Sequence, residues 1–171
     1  MLSMTILGCE ASIYDVVGRG ELEELAQRLQ DEPELVRSRN ALGKTPLHYA
    51  VTYRQPEAMT LLIANGAEVN AKDDTGLTPL HVAAILSRLD EAKLLLDAGA
   101  DLAARDEFGD TPLHSAALHG NRETVEFLLR HGADPLEKNL KEKTPRDLAR
   151  THRRNEIVGF LESVERGLSR Q

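Results

Sequence analysis

Apolar residues in this chain come in short clusters at helical spacing, arranged in pairs. Leu80, Ala83 and Ala84 form one cluster, and Ala92, Leu94, Leu95 and Leu96 form the next. Val125, Phe127, Leu128 and Leu129 repeat the second pattern further on. Apolar positions three and four apart lie on one face of a helix, so each cluster predicts a short amphipathic helix. Polar, glycine-bearing stretches separate the pairs and predict turns.

The pattern is periodic. Thr-Pro-Leu-His stands at Thr45, Thr78 and Thr111, and a decayed copy, Thr144-Pro145-Arg146-Asp147, follows one period later. Gly-Ala-Glu at Gly66 and Gly-Ala-Asp at Gly99 and Gly132 keep the same period, as do Gly43, Gly76 and Gly109. Each element has a physical reason. Thr caps the first free N–H groups of a helix, and Pro fits the first helical position. Small Ala residues let neighbouring helices approach closely. The Gly of Gly-Ala-Asp ends the second helix, and Gly43, Gly76 and Gly109 supply a turn with positive φ. Asp73, Asp106 and Asn139 precede the next Thr as turn formers.

These residues resemble the ankyrin-repeat family, whose signature is this Thr-Pro-Leu-His-x-Ala motif in a repeat of about 33 residues. The resemblance implies an all-α solenoid of about five stacked helix-turn-helix units joined by β-hairpin-like loops. We expect one domain over residues 1–171. It divides into an N-terminal capping repeat (9–42), regular repeats at 43–75, 76–108 and 109–141, and a C-terminal capping repeat (142–171). The first repeat is longer, with extra residues around Asp31-Glu32-Pro33-Glu34 that predict a lengthened loop. In the last, Arg146, Arg150 and Glu142 replace the usual Leu, Ala and Gly, as suits a repeat with one face in water. The chain then reads as complete: a cap, three regular repeats and a cap.

Charge narrows the functional classes. The formal net charge is −7, which disfavours nucleic acid as a ligand. It is uneven: from Lys138 onward basic residues outnumber acidic ones, 9 to 5. One cysteine, Cys9, excludes an intrachain disulfide and reads as a buried small hydrophobe. The N-terminus has no basic leader, and no run reaches the roughly 20 apolar residues of a membrane span. A cytoplasmic protein, monomeric by itself and without a membrane attachment, is expected.

No catalytic constellation is readable. His48, His81 and His114 belong to the repeat signature, and stacking would hold them roughly 10 Å apart, too far for one zinc ion. His119, His131 and His152 have no Cys beside them, and no phosphate-cradling loop or EF-hand pattern is present. We therefore expect no enzyme, no cofactor, no metal and no small-molecule substrate.

The resemblance implies noncatalytic binding of a partner protein, as an adaptor or inhibitor, along the concave face. The positions it assigns to that face are Leu42, Tyr53, Asp74, Leu77, Ile85, Leu86, Glu107, Phe108, Asp110, Leu118, His119 and Leu140. Ile85, Leu86, Leu118 and Tyr53 would form an apolar patch, rimmed by Asp74, Glu107 and Asp110, suited to a segment with an apolar core and basic flanks. The alternative is the basic end, Arg146, Arg150, Arg153 and Arg154, taking an acidic partner or RNA.

Overall fold

The computed structural model describes residues 11–168. Cys9 lies outside them. Among the described residues the chain forms ten α-helices and one short 3-10 turn. The helices come as five consecutive pairs: α1 (Ile13–Arg19) and α2 (Leu22–Asp31), α3 (Pro46–Thr52) and α4 (Pro56–Ala64), α5 (Pro79–Leu86) and α6 (Leu89–Asp97), α7 (Pro112–His119) and α8 (Arg122–Arg130), α9 (Pro145–Thr151) and α10 (Asn155–Leu168). The segment expected to be a lengthened loop in the first repeat is instead a 3-10 helix, Pro33–Arg37, which buries Val36. First helices pack on first helices along the row α1, α3, α5, α7, α9, and second helices on second helices.

Helices of seven to nine residues, such as α4, α6 and α8, are too short to persist alone. Stacking supplies the stability. Leu47, Leu80 and Leu113 from the first helices, and Leu62, Leu95 and Leu128 from the second, are fully buried in one continuous core. Ala50, Ala83, Ala116 and Ala149 are also fully buried, which lets adjacent first helices lie close.

The Thr and His of the signature lock each repeat to the next. At Thr78 the backbone N–H and the hydroxyl both reach His81 Nδ1, at 3.2 and 2.8 Å. An N–H can only donate, so Nδ1 is unprotonated and the ring proton sits on Nε2. Nε2 then donates to the Asp110 carbonyl of the following hairpin at 3.0 Å. His48 donates likewise to Leu77 and His114 to Lys143. Asp147 replaces the imidazole in the last repeat, accepting from Thr144 N–H and Oγ at 3.2 and 3.1 Å. Among the described residues no further hairpin packs there to receive a second bond.

Other side chains span the repeats in the same periodic way. Arg39, Lys72 and Arg105 donate to the carbonyls of Lys72, Arg105 and Lys138, at 2.6, 2.7 and 2.9 Å. At the start of the second helices, Gln55, Asn121 and Arg154 donate back to the carbonyls of Gly18, Ala84 and Leu118. Hairpin backbones touch: Asp74 N–H donates to Leu42, Glu107 to Thr75 and Leu140 to Phe108. Gly76 is required on two counts. Its φ is +79°, and a Cβ would lie 2.8 Å from Glu107 N of the next hairpin. Glu142 holds the equivalent conformation, with φ 55°. Among the described residues it meets no further hairpin, so there only the conformational cost applies.

One position departs from this order. Where other repeats place Ala58, Thr124 and Ile157, the third places Glu91, which is 2% exposed. Its Oε2 has no hydrogen-bond partner, and Oε1 is 3.9 Å from Arg54 Nε. Arg88 Nε, in the row of Gln55 and Asn121, is also buried without a partner. A buried carboxylate so weakly compensated costs more to desolvate than its ion pair returns. Glu91→Met should therefore stabilise the protein by about 1–3 kcal/mol, read as a higher midpoint in urea unfolding. A lower midpoint would show that the carboxylate supports the stack.

Candidate partner-binding surface

The expected site residues fall into two rows. Hairpin tips give Leu42, Asp74, Glu107, Phe108 and Leu140, and the ends of first helices give Tyr53, Leu86 and His119. The tip-to-tip backbone bonds set Leu42 beside Asp74, Glu107 beside Thr75, and Leu140 beside Phe108. The tips therefore make one continuous edge on which Asp74 and Glu107 stand among the apolar Leu42, Phe108 and Leu140, with Lys141 Nζ at its end 5.8 Å from the Phe108 ring centroid. Leu42, Tyr53, Leu86, Phe108 and Leu140 are exposed, from 38% at Leu86 to 74% at Leu140. Side chains of this size gain by leaving water, and five along one edge and its neighbouring helix ends exceed what a solvated surface needs. Leu136 and Leu168 are also exposed but belong to neither row.

Three aliphatic positions are more covered than expected. Leu77, Ile85 and Leu118 are half-buried, because neighbouring first helices pack closely enough to shield part of each side chain. The apolar face is thus carried by the tips as much as by the helices.

Asp110 corrects the expectation of an acidic rim. It is 9% exposed, and its Oδ1 accepts from Asn139 Nδ2 at 2.6 Å while its carbonyl receives His81. It joins one repeat to the next and leaves little of its side chain in solvent. Asp74 and Glu107 remain exposed, and neither forms an ion pair among the described residues. His119 is exposed, with Nδ1 at 2.9 Å from the Ser115 carbonyl.

The sequence reading missed an aromatic ladder at the N-terminal end of this surface. Tyr14 and Tyr49 stand 5.0 Å apart between ring centroids, and Tyr49 and Tyr53 5.8 Å apart. Tyr14 donates to Ser38 Oγ, and Tyr49 accepts from Asn40 Nδ2, so two of the rings are held in place. Tyr53 lies across Gly18, where an added Cβ would meet its ring at 3.5 Å. The available signal was Tyr49 itself, a ring at the position where other repeats carry Val82, Ser115 and Leu148. Leu42, Lys44, Tyr49, Thr52 and Tyr53 enclose a concavity of about 130 Å³.

The basic end is partly consumed by the fold. Arg146 pairs with Glu165 at 2.7 Å, Arg154 Nε donates to the Leu118 carbonyl, and Arg150 lies 3.6 Å from Asp147. Arg153 is exposed in a left-handed turn with φ 57°.

Burial pushes His48, His81 and His114 below the ordinary imidazole range, which keeps each ring neutral for its two bonds. Both nitrogens of each are used within the fold. Among the described residues no helix is long and apolar enough to cross a membrane.

A family model described as ankyrin repeats in three copies matches residues 13–106, 61–139 and 102–165. Proteins built from these repeats are generally protein–protein interaction modules and are typically noncatalytic. With nearly every described residue inside those matches and the helix pairs stacked through their Thr and His side chains, the chain belongs to the ankyrin-repeat family.

Proposed function

We propose that the protein is a noncatalytic adaptor or inhibitor that binds a partner protein along the hairpin tips and the ends of the first helices. The observation that carries this reading is the row of exposed Leu42, Tyr53, Leu86, Phe108 and Leu140, interrupted by the unpaired carboxylates Asp74 and Glu107. A partner segment with apolar side chains and basic flanks satisfies both features. Leu77, Ile85, Leu118 and His119 extend the contact at its floor. The neutral, twice-bonded histidines leave no free imidazole of the signature for catalysis, in keeping with recognition as the task.

Leu86 and Phe108 are the informative pair to change, since both are exposed and replacing them disturbs little of the core. Leu86→Glu with Phe108→Glu should weaken capture of the partner from the native host's extract at least about tenfold, with mass spectrometry as readout. Urea unfolding should move by less than about 0.5 kcal/mol. Capture of the same partner by the double variant would overturn the reading.

A further inference from the structure

We infer that the tyrosine-walled concavity of the second repeat is an anchor subsite. It takes one uncharged aliphatic side chain of an extended partner segment, and that segment carries Lys or Arg beside the anchor and again about three residues further on. The inference rests on the concave-face reading and adds to it an occupant of stated chemistry.

The concavity holds about 130 Å³, room for one aliphatic side chain, between Leu42, Tyr49, Thr52 and Tyr53. Its walls are set in advance of binding. Asn40 fixes Tyr49, Tyr14 braces it from the other side, and Gly18 seats Tyr53. A preformed wall costs little ordering on association. Lys44 also lines it, which disfavours a cationic side chain in the concavity itself.

Charge decides what lies beyond. The Asp74 carboxylate sits directly behind Leu42: its N–H donates to the Leu42 carbonyl at 3.1 Å, and an added Cβ on Gly43 would collide with its Oδ1. Glu107 is the equivalent residue one hairpin further along, bonded to Thr75 in the same way. Neither carboxylate has an ion-pair partner within the described residues, so a partner cation would meet each without displacing an existing one. Adjacent repeats lie about 10 Å apart. An extended chain advances about 3.3 Å per residue, so one repeat spans about three residues. An aliphatic anchor beside Leu42 therefore places one basic residue next to it, over Asp74, and a second about three residues further on, over Glu107.

The test selects random twelve-residue peptides, displayed on phage, against the immobilised full chain. Enriched peptides should share an aliphatic residue followed or preceded by Lys or Arg at the stated spacing. Binding should fall at least about tenfold on Leu42→Asp and on Thr52→Phe, which fills the concavity, and on Asp74→Lys with Glu107→Lys. Leu42 and both carboxylates are exposed, so those variants keep the fold even where Thr52→Phe does not, and circular dichroism melting verifies each. Peptides lost only on Leu86→Glu with Phe108→Glu would overturn this subsite and leave the concave-face reading standing. Peptides indifferent to every variant, or no enrichment at all, would overturn both.

Discussion

Acidification from pH 7 towards pH 5.5 should unfold this protein much more readily, through three histidines acting together. His48, His81 and His114 are fully buried in the stack, and burial holds their protonation below the ordinary value of 6.5. Desolvation is the largest cause in each, opposed by the bond from Nε2 to a backbone carbonyl, which favours the protonated ring. Well above pH 6.5 the rings are neutral in both states and the stability is fully present. Below it the unfolded chain binds protons that the folded chain refuses, so stability falls as pH falls towards the folded values. Three sites titrating only in the unfolded state would set the upper limit of that slope, about 4 kcal/mol per pH unit. Urea unfolding at half-unit steps from pH 7.5 to 5.5 measures it.

Each histidine should carry about one third of that slope. His81→Gln, losing one titrating ring, should lower it by up to about 1.4 kcal/mol per pH unit. The shifted carboxylates act in a lower window. Asp147, bonded to Thr144, and Asp15, bonded to Ser12, are held below 3.8 and lose their contribution only as pH falls beneath that. Glu165, raised by burial, works the other way, since its protonation removes a buried charge. A stability flat between pH 7 and 5.5 would mean that the rings stay accessible to protons in the folded state.

The same histidines explain why so much of the fold was legible. Thr, Pro, Leu and His recur because each answers a demand of the backbone: a cap, a fixed φ, a core contact, and a bridge to the next hairpin. A residue that serves local geometry leaves its mark in every repeat. What was illegible belongs to single interfaces. Asp110 follows the turn Gly as Leu77 does, but only its repeat is followed by Asn139, and that pairing draws it inward. The turns at Arg54, Ser87 and Arg153 are left-handed without glycine, so only Gly20 and Gly120 in their row showed the conformation in the sequence. The tyrosine ladder combines residues from the first two repeats at unlike positions, which a search for periodicity passes over.

The site is legible to the same extent. The alternation of tips and helices placed Leu42, Tyr53, Leu86, Phe108 and Leu140 on the outside because each lies just beyond an inward-facing motif. Ile85 and Leu118 sit one residue closer to that motif, and their half-burial reflects packing of neighbouring helices, a property of two repeats rather than one.

Leu113→Ala should cost about 2–5 kcal/mol and, more tellingly, should divide the molecule. Leu113 is fully buried in α7, which packs on α5 to one side and α9 to the other. In a stack where each repeat touches only its neighbours, stability is a sum of repeat and interface contributions. A cavity in α7 weakens both flanking interfaces at once. Repeats on the N-terminal side keep their own contacts, including the tyrosine ladder and the bond of His48 to Leu77. Those on the C-terminal side are left with the decayed Thr144–Asp147 pair and a single interface. Unfolding should therefore separate into two steps, with the C-terminal repeats lost first and the apparent dependence on urea reduced. Leu161→Ala removes an equally buried side chain from α10, at the end of the stack, and affects one interface only. It should leave the unfolding of the first three repeats unchanged. Hydrogen exchange resolved by residue distinguishes the two variants: protection around Leu80 should persist after the first step in Leu113→Ala. A single transition of unaltered steepness would mean that the five repeats unfold as one body, with coupling strong enough to override the loss.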